Sequence, residues 1–460
     1  MHLRERHHNS LQAPIKATEI VHLLSHDESQ TLQKDVSAGP SHSLASGQSG
    51  LLGLNRREME DDVLARKRNL STSPPSPRKM AKSSRPIAEP AKSLQPVIAT
   101  ASTAKPLQFP RGTVKKTWAF GHPRDEDIKI EEVLQRADLT MAVLSSFQWD
   151  MEWLLGKRGK LSVRSIEMIC VVQAKSIETK RQFERETASV PNLKLCFPNM
   201  DGQINCMHSK LMLLVHPSYL RIVVPSANLV PYDWGESGVM ENTVFLIDLP
   251  RLAGGRQVLP ENMTFFGSEL IYFIRAMGLP KDVVRSFCRF DFSATNGLAF
   301  VHTIGGAHSG EVWKRTGYCG HGRAVKELGL GSDEPLEVDF VTSSIGFLNM
   351  DFITTMYLAA TGDDGLMEYE WRTTTKGSGA EGQRVVKLKE QTVASIERGF
   401  RIYFPTQDTV VNSKGGAACR GTICFQAKWY SAATFPRTLL RDCQSQRKGM
   451  LMHNKVGHLS

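Results

Sequence analysis

At 460 residues, the chain has room for two or three domains of ordinary size. Its 41% hydrophobic content, with 20 Phe, 8 Tyr and 7 Trp, is enough for a sizeable core. No uncharged apolar run approaches the ~18 residues of a membrane span, and the opening Met1-His2-Leu3-Arg4-Glu5-Arg6 has no apolar stretch of a secretory signal, so a soluble intracellular protein is expected.

The net charge of +10 is unevenly placed. Residues 1–116 carry 18 Lys and Arg against 10 Asp and Glu, and only one aromatic residue, Phe109. So few aromatics cannot offset the entropy of ordering, and 1–116 is expected to be a disordered basic tail. Two basic clusters lie on it: Arg66-Lys67-Arg68, then Arg78-Lys79 with Lys82 and Arg85. They read as a nuclear-import signal or a non-specific nucleic-acid tether, against the plainer reading of a solvated linker. Phosphorylation at the Ser-Pro steps of Ser73 and Ser76 would weaken either role.

Folded structure is expected from Trp118. A helix start at Lys129–Leu134, an apolar strand at Leu139–Leu144 and a helix at Phe147–Leu155 come first. A strand at Ile166–Val172 and a helix at Lys175–Thr187 follow, so the class is α/β. A second series repeats that order: a strand at Leu298–Ile304, a helix at Arg323–Leu328, a strand at Leu336–Val341 and a helix at Phe347–Leu358. Asp364–Lys387 is rich in Gly, Glu and Thr and reads as an inserted loop. Two similar lobes, 117–293 and 294–460, are predicted. The eight cysteines form no CxxC pair; Cys419 and Cys424 are closest, with no histidine at ligand spacing, so reduced thiols are expected rather than a zinc site.

Each predicted lobe holds one copy of a short motif: Met207-His208-Ser209-Lys210 and Met452-His453-Asn454-Lys455. Composition alone gives roughly one HxK by chance, so context decides. Lys210 leads into Leu211–Val215, a turn at His216-Pro217-Ser218-Tyr219, and Leu220–Val224, a β-hairpin. With Val215 facing Leu220, His208 lies opposite Ala227 and beside Asn228. On a strand His208 and Lys210 share a face, so an imidazole, an ammonium and a carboxamide converge. Those groups suit phosphoryl transfer: a neutral imidazole attacks phosphorus, while Lys and Asn stabilise its oxygens. A second histidine then serves as acid and base. The plainer alternative is two strand histidines beside surface lysines.

At these residues the sequence resembles the phospholipase D superfamily, and more closely its tyrosyl-DNA phosphodiesterase family of fungal type. Val215 stands where the superfamily signature has Asp, the variant found in that branch. The resemblance extends through Ser226-Ala227-Asn228-Leu229 with Asp233-Trp234-Gly235, through Gly399–Pro405, and through Arg441-Asp442-Cys443 to Lys455. It covers roughly residues 117–460. It implies two phospholipase D-like lobes, each a mixed sheet flanked by helices, with the active site between them and no cofactor or metal. It implies hydrolysis of the 3′-phosphotyrosyl bond between DNA and trapped topoisomerase I. His208 would be the nucleophile, Lys210, Asn228 and Lys455 the phosphate ligands, and His453 the general acid and then base. Ser343 and Ser344 would contact DNA phosphates, and Phe147 would lie beside the site or in the core. The implied partners are single- and double-stranded DNA with 3′ adducts and a tyrosyl peptide from topoisomerase I, met by a monomer in the nucleus, away from membranes.

One departure bears on activity. A second Asn at the first motif's spacing would lie beyond Ser460, so the second lobe is expected to be incomplete. The alternative reading is therefore a truncated, catalytically impaired DNA-binding homologue. Action on lipid or on other DNA ends ranks last, because Val215 replaces the Asp.

Overall fold

The computed structural model describes residues 106–158, 166–200, 206–374 and 379–460. The basic clusters and Ser-Pro steps expected in the tail lie outside these residues. In the first lobe the strands are β1 (Thr113–Thr117), β2 (Asp127–Ile128), β3 (Met141–Ser145), β4 (Glu167–Val171) and β5 (Leu193–Cys196). They are followed by β6 (Leu211–Val215), β7 (Tyr219–Pro225), β8 (Met240–Glu241) and β9 (Thr243–Pro250). All but β8 join one mixed sheet in the order β2-β1-β9-β7-β6-β3-β4-β5.

Strand periodicity explains why β6 is an unbroken apolar run. Met212 and Leu214 enter one core layer with Trp149, Met168, Val223 and Trp234. Leu211, Leu213 and Val215 enter the opposite layer with Ile169, Ile222 and Ile247. Both faces are covered, so no position on β6 can be polar at low cost. Helix α1 (Ile130–Leu134), α2 (Met151–Arg158) and α3 (Ile177–Thr187) come from the first half of this lobe, and α4 (Phe265–Ala276) and α5 (Lys281–Phe287) from its end. Thr264 caps α4, its hydroxyl accepting the Gly267 N–H at 3.1 Å. Leu270, Phe273 and Ile274 of that helix fill the second layer.

The second lobe contains α6 (Gly317–Glu327), β10 (Val338–Thr342), β11 (Ser344–Ile345), α7 (Met350–Thr361), α8 (Leu366–Thr373) and α9 (Ala380–Gly399). It continues with β12 (Phe400–Tyr403), α10 (Gln407–Val411), β13 (Cys424–Phe425), α11 (Ala427–Tyr430), β14 (Leu440–Arg441), β15 (Leu451–Met452) and β16 (Lys455–Leu459). Its main sheet runs β14-β12-β10-β16. This repeats part of the first sheet strand for strand. β3 has parallel β4 on one side and antiparallel β6 on the other; β10 has parallel β12 and antiparallel β16 in the same places. The two HxK motifs thus enter equivalent strands. In the first sheet β6 is covered further by β7, whereas β16 forms the edge and its five residues are all exposed.

Three expectations need correction. A disordered tail is expected through residue 116, but Thr113–Lys116 pair with β9. The backbone N–H groups of Gln108 and Phe109 donate to Asp248 Oδ2 at 3.1 and 3.0 Å, and the Phe109 ring lies 4.9 Å from the Arg221 guanidinium. One aromatic residue anchors the segment that its neighbours alone could not order. Leu298–Ile304 is no sheet strand. It lays Leu298, Phe300 and Ile304 on the α4 layer while Val301 and Thr303 stay exposed. The alternation is that of an extended strap whose side chains dock without a neighbouring strand. Finally, much of the expected loop at 364–387 is helical, in α8 and the start of α9. An i,i+4 pair, Arg372 to Glu368 at 3.1 Å, supports α8.

Candidate active site

The hairpin register has the predicted form, with Val215 opposite Leu220 and Met212 opposite Val223. Pairing stops at Leu211, however, so His208 and Lys210 sit on an irregular segment ahead of β6. The Lys210 ammonium reaches back over this segment to the His208 carbonyl at 3.2 Å and lies 2.9 Å from His208 Nδ1. Phe147, just past β3, stacks on the His208 ring at 4.3 Å between centroids and 23° between planes. Val215 lies at the far end of β6 in the apolar layer, where a carboxylate would have no polar partner.

Asn228 is 2% exposed and held from several directions. Its N–H donates to Asp233 Oδ2 at 2.7 Å and its carbonyl accepts the Trp234 indole N–H at 2.9 Å. Its side-chain oxygen accepts the Gln148 backbone N–H at 3.3 Å, and its amide nitrogen donates to Gln148 Oε1 at 3.4 Å. Tyr232 fixes that Gln148 oxygen by donating at 2.6 Å. The loop closes on Gly235, whose φ of +76° and approach to Trp118 leave no room for a Cβ.

The second motif meets the first across the lobes. β15 pairs in parallel with β8, Met452 beside Glu241, and the His453 N–H donates to the Glu241 carbonyl at 3.1 Å. His453 is buried, with Nδ1 3.2 Å from Asp233 Oδ2. Ser226 Oγ lies 3.0 Å from Asn454 Oδ1. Lys455 donates to the Ser343 hydroxyl at 2.8 Å and to the His453 carbonyl at 3.2 Å. Ser343, expected against DNA phosphates, is instead fully buried beneath Lys455. Ser344 is exposed on β11.

The structure therefore gathers His208, Lys210, Asn228, His453, Lys455 and Phe147, with Ser343 as a buried support. Asp233, Gln148 and Tyr232 were missed as functional candidates. Asp233 was visible only as part of a motif, because its partner lies 220 residues away.

Loss of surrounding water, with repulsion between like charges second, sets the charge state of this cluster. His208 is open to solvent on one side, yet crowding by the protein, then Lys210, Lys455 and His453, pushes its pKa down to about 4. Burial first, then Lys455, lowers Lys210 to about 8, with Asp233 opposing. Although Lys455 is exposed as a residue, its ammonium is crowded against Ser343 and the His453 carbonyl, and the loss of water there lowers it to about 8 as well, again opposed by Asp233. Two ammoniums that each shed charge more readily than usual favour an anion between them. Among the described residues, no three His, Cys, Asp or Glu side chains are grouped to hold a metal ion.

A family model for tyrosyl-DNA phosphodiesterase matches residues 113–459. The chain belongs to the tyrosyl-DNA phosphodiesterase family. The matched span begins at the first residue of β1 and ends in β16. A tyrosyl-DNA phosphodiesterase 1 of Arabidopsis thaliana is 23% identical over 195 residues, which are 40% of this chain and 30% of the plant protein. The match thus spans under a third of that relative's length. The crystal structure of the yeast tyrosyl-DNA phosphodiesterase superposes with a TM-score of 0.53 at 16% identity, covering 76% of this chain and 81% of that one. A yeast variant with histidine replaced by arginine gives 0.52 at 17%, covering 74% and 76%. The yeast enzyme therefore shares this mixed α/β fold of sheets flanked by helices.

Proposed function

We propose that the protein is a metal-independent phosphodiesterase that hydrolyses the 3′-phosphotyrosyl bond between DNA and trapped topoisomerase I. The observation that supports this most is the joining of the two HxK segments: His453, from one lobe, bonds the Asp233 that also fixes Asn228 of the other.

In the first step His208 Nε2 attacks phosphorus, forming a P–N bond as the P–O bond to tyrosine breaks. His453 gives the phenolic oxygen its proton, and Asp233 at Nδ1 stabilises the imidazolium that donates it. Lys210, Lys455 and Asn228 hold the phosphoryl oxygens as charge grows. In the second step neutral His453 takes a proton from water, the water oxygen bonds to phosphorus, and the P–N bond breaks. The products are a 3′-phosphate and free His208. Attack through Nε2 requires the His208 proton on Nδ1, which Lys210 faces at 2.9 Å. Lys210 must therefore leave Nδ1 for the phosphate before the bond forms, coupling substrate binding to the nucleophile's tautomer.

Phe147 restricts the His208 ring by stacking, and exposed Ser344 would meet the DNA strand. The basic clusters between Arg66 and Arg85 would carry the protein to the nucleus, where its DNA partner is. Turnover of a 3′-phosphotyrosyl oligonucleotide in excess EDTA tests this function; an absolute requirement for a divalent metal would refute it.

The second reading is a DNA-binding homologue with an impaired site. It is favoured by the resting contact of the Lys210 ammonium with His208 Nδ1 at 2.9 Å, which occupies the nitrogen that must carry the proton for attack through Nε2. Salt-dependent DNA binding without turnover, unchanged by His208→Ala, would support it.

A further inference from the structure

Arg447 crosses between the lobes and is only 8% exposed. Its Nη1 donates to the Thr117 carbonyl of β1 at 2.7 Å and to Glu241 Oε2 of β8 at 3.3 Å. Its Nη2 donates to Asp127 Oδ2 of β2 at 2.9 Å. One guanidinium therefore reaches three strands of the first lobe from the segment that leads into His453. Two buried carboxylates compensate its charge, Asp127 at 1% and Glu241 at 9% side-chain exposure. Arg124 shares Asp127 through the other carboxylate oxygen, at 2.5 Å.

Glu241 connects this cluster to the candidate chemistry. Its carboxylate takes Arg447 on one oxygen and the Ser445 hydroxyl, at 2.5 Å, on the other. Its backbone carbonyl accepts the His453 N–H, and Met452 lies beside it in the β8–β15 pair. That pair has only two residues on each strand, too few to fix a register by backbone bonding alone. Side-chain ties on each flank supply what the short pair lacks: Arg447 before β15, and the Asp233–His453 bond after it.

We propose that Arg447 is a positioning residue for His453. Through Glu241, Asp127 and Thr117 it sets where the second-lobe histidine stands relative to the His208–Lys210 side of the site. The role rests on the phosphodiesterase reading, because it concerns the proton that His453 gives to the leaving group and later takes from water. Loosening Arg447 leaves His208, Lys210, Asn228 and Phe147 in place, since none of them touches the cluster. It therefore impairs the steps that need His453 and spares the attack itself.

Leaving-group dependence separates this from general damage. Tyrosine leaves as a phenol of pKa about 10 and needs a proton; 4-nitrophenol leaves as its anion without one. First-turnover rates of Arg447→Met would be measured by rapid quench on two oligonucleotides, one ending in 3′-phosphotyrosine and one in 3′-(4-nitrophenyl)phosphate. The expected result is a loss of about tenfold to a hundredfold on the tyrosyl substrate, below the full value of a general acid. The nitrophenyl burst should stay within about twofold, followed by accumulation of the phosphohistidine. Equal losses on both substrates, or no loss on either, would overturn the role. If Arg447→Met does not fold by circular dichroism, Arg447→Lys and Ser445→Ala carry the same comparison with less disruption of the buried carboxylates. Inactivity of the unmodified protein on both substrates would refute the phosphodiesterase reading itself, a result distinct from an unselective loss in the variants.

Discussion

At the scale of single residues, the candidate site is a balance of like charges around space for an anion. With a pKa near 4, His208 is neutral, and so nucleophilic, at all pH values well above that. Lys210 and Lys455, both near 8, hold their protons only below about that pH. In kcat/KM against pH, which reports the free enzyme, the acid limb of the nucleophile should lie near 4 and activity should fall as Lys210 and Lys455 lose their protons above about 8, with the protonation of His453 required in addition for the first step. The limb in kcat on the alkaline side should move upward, since a bound phosphate raises both lysines. Lys455→Met removes one of the charges that depresses His208, so the acid limb should rise toward 6.5 while the rate falls. An acid limb that stays in place would show that Lys455 does not act on His208. His208, Lys210, His453 and Lys455 stand out as candidates in the sequence because the HxK pair occurs twice, and Asn228 because the hairpin register sets it beside His208. Asp233, Gln148 and Ser343 do not, because their roles depend on which distant side chain the fold brings to them.

At the scale of elements, strands with both faces covered and a hairpin with a Pro-bearing turn were readable, even to the register Val215–Leu220. The strap at Leu298–Ile304 was misread because alternation reports burial on one side, not hydrogen bonding to a neighbour. Helices α8 and α9 were missed because composition was read where pairing along the helix decides. The start of β1 was missed for a different reason: its anchor is a buried ion pair. Arg221 donates to both oxygens of Asp248, at 2.7 and 2.9 Å, with both side chains out of solvent. Arg221→Met should cost about 3–5 kcal/mol by stranding Asp248 and releasing Gln108 and Phe109. Urea unfolding would show a lowered midpoint and proteolysis a newly cleavable segment before Thr117; an unchanged midpoint would contradict the anchor. Gly235→Ala should lower the melting temperature too, since its Cβ would lie 1.6 Å from the Trp118 carbonyl oxygen.

At the scale of the whole molecule, the charge and the fold divide the work. The net charge of +10 suggested nucleic acid, but residues 117–460 contribute only +2 of it. On the proposed function the grip on a phosphodiester would be local, from Lys210 and Lys455, and the basic N-terminal residues would add a non-specific attraction. Removing residues 1–105 should weaken binding to long DNA and flatten its salt dependence without changing the rate on a short oligonucleotide. Equal salt slopes with and without them would contradict that division. In the proposed mechanism the repeated motif is what makes the chemistry possible, each copy contributing one histidine to a two-step transfer. The most direct test of that claim is intact-mass analysis of His453→Asn mixed with a 3′-phosphotyrosyl oligonucleotide in excess EDTA. The account predicts an acid-labile adduct of the oligonucleotide's mass on His208, absent from the double variant with His208→Ala. No adduct in the presence of full turnover, or an adduct that persists without His208, would contradict it.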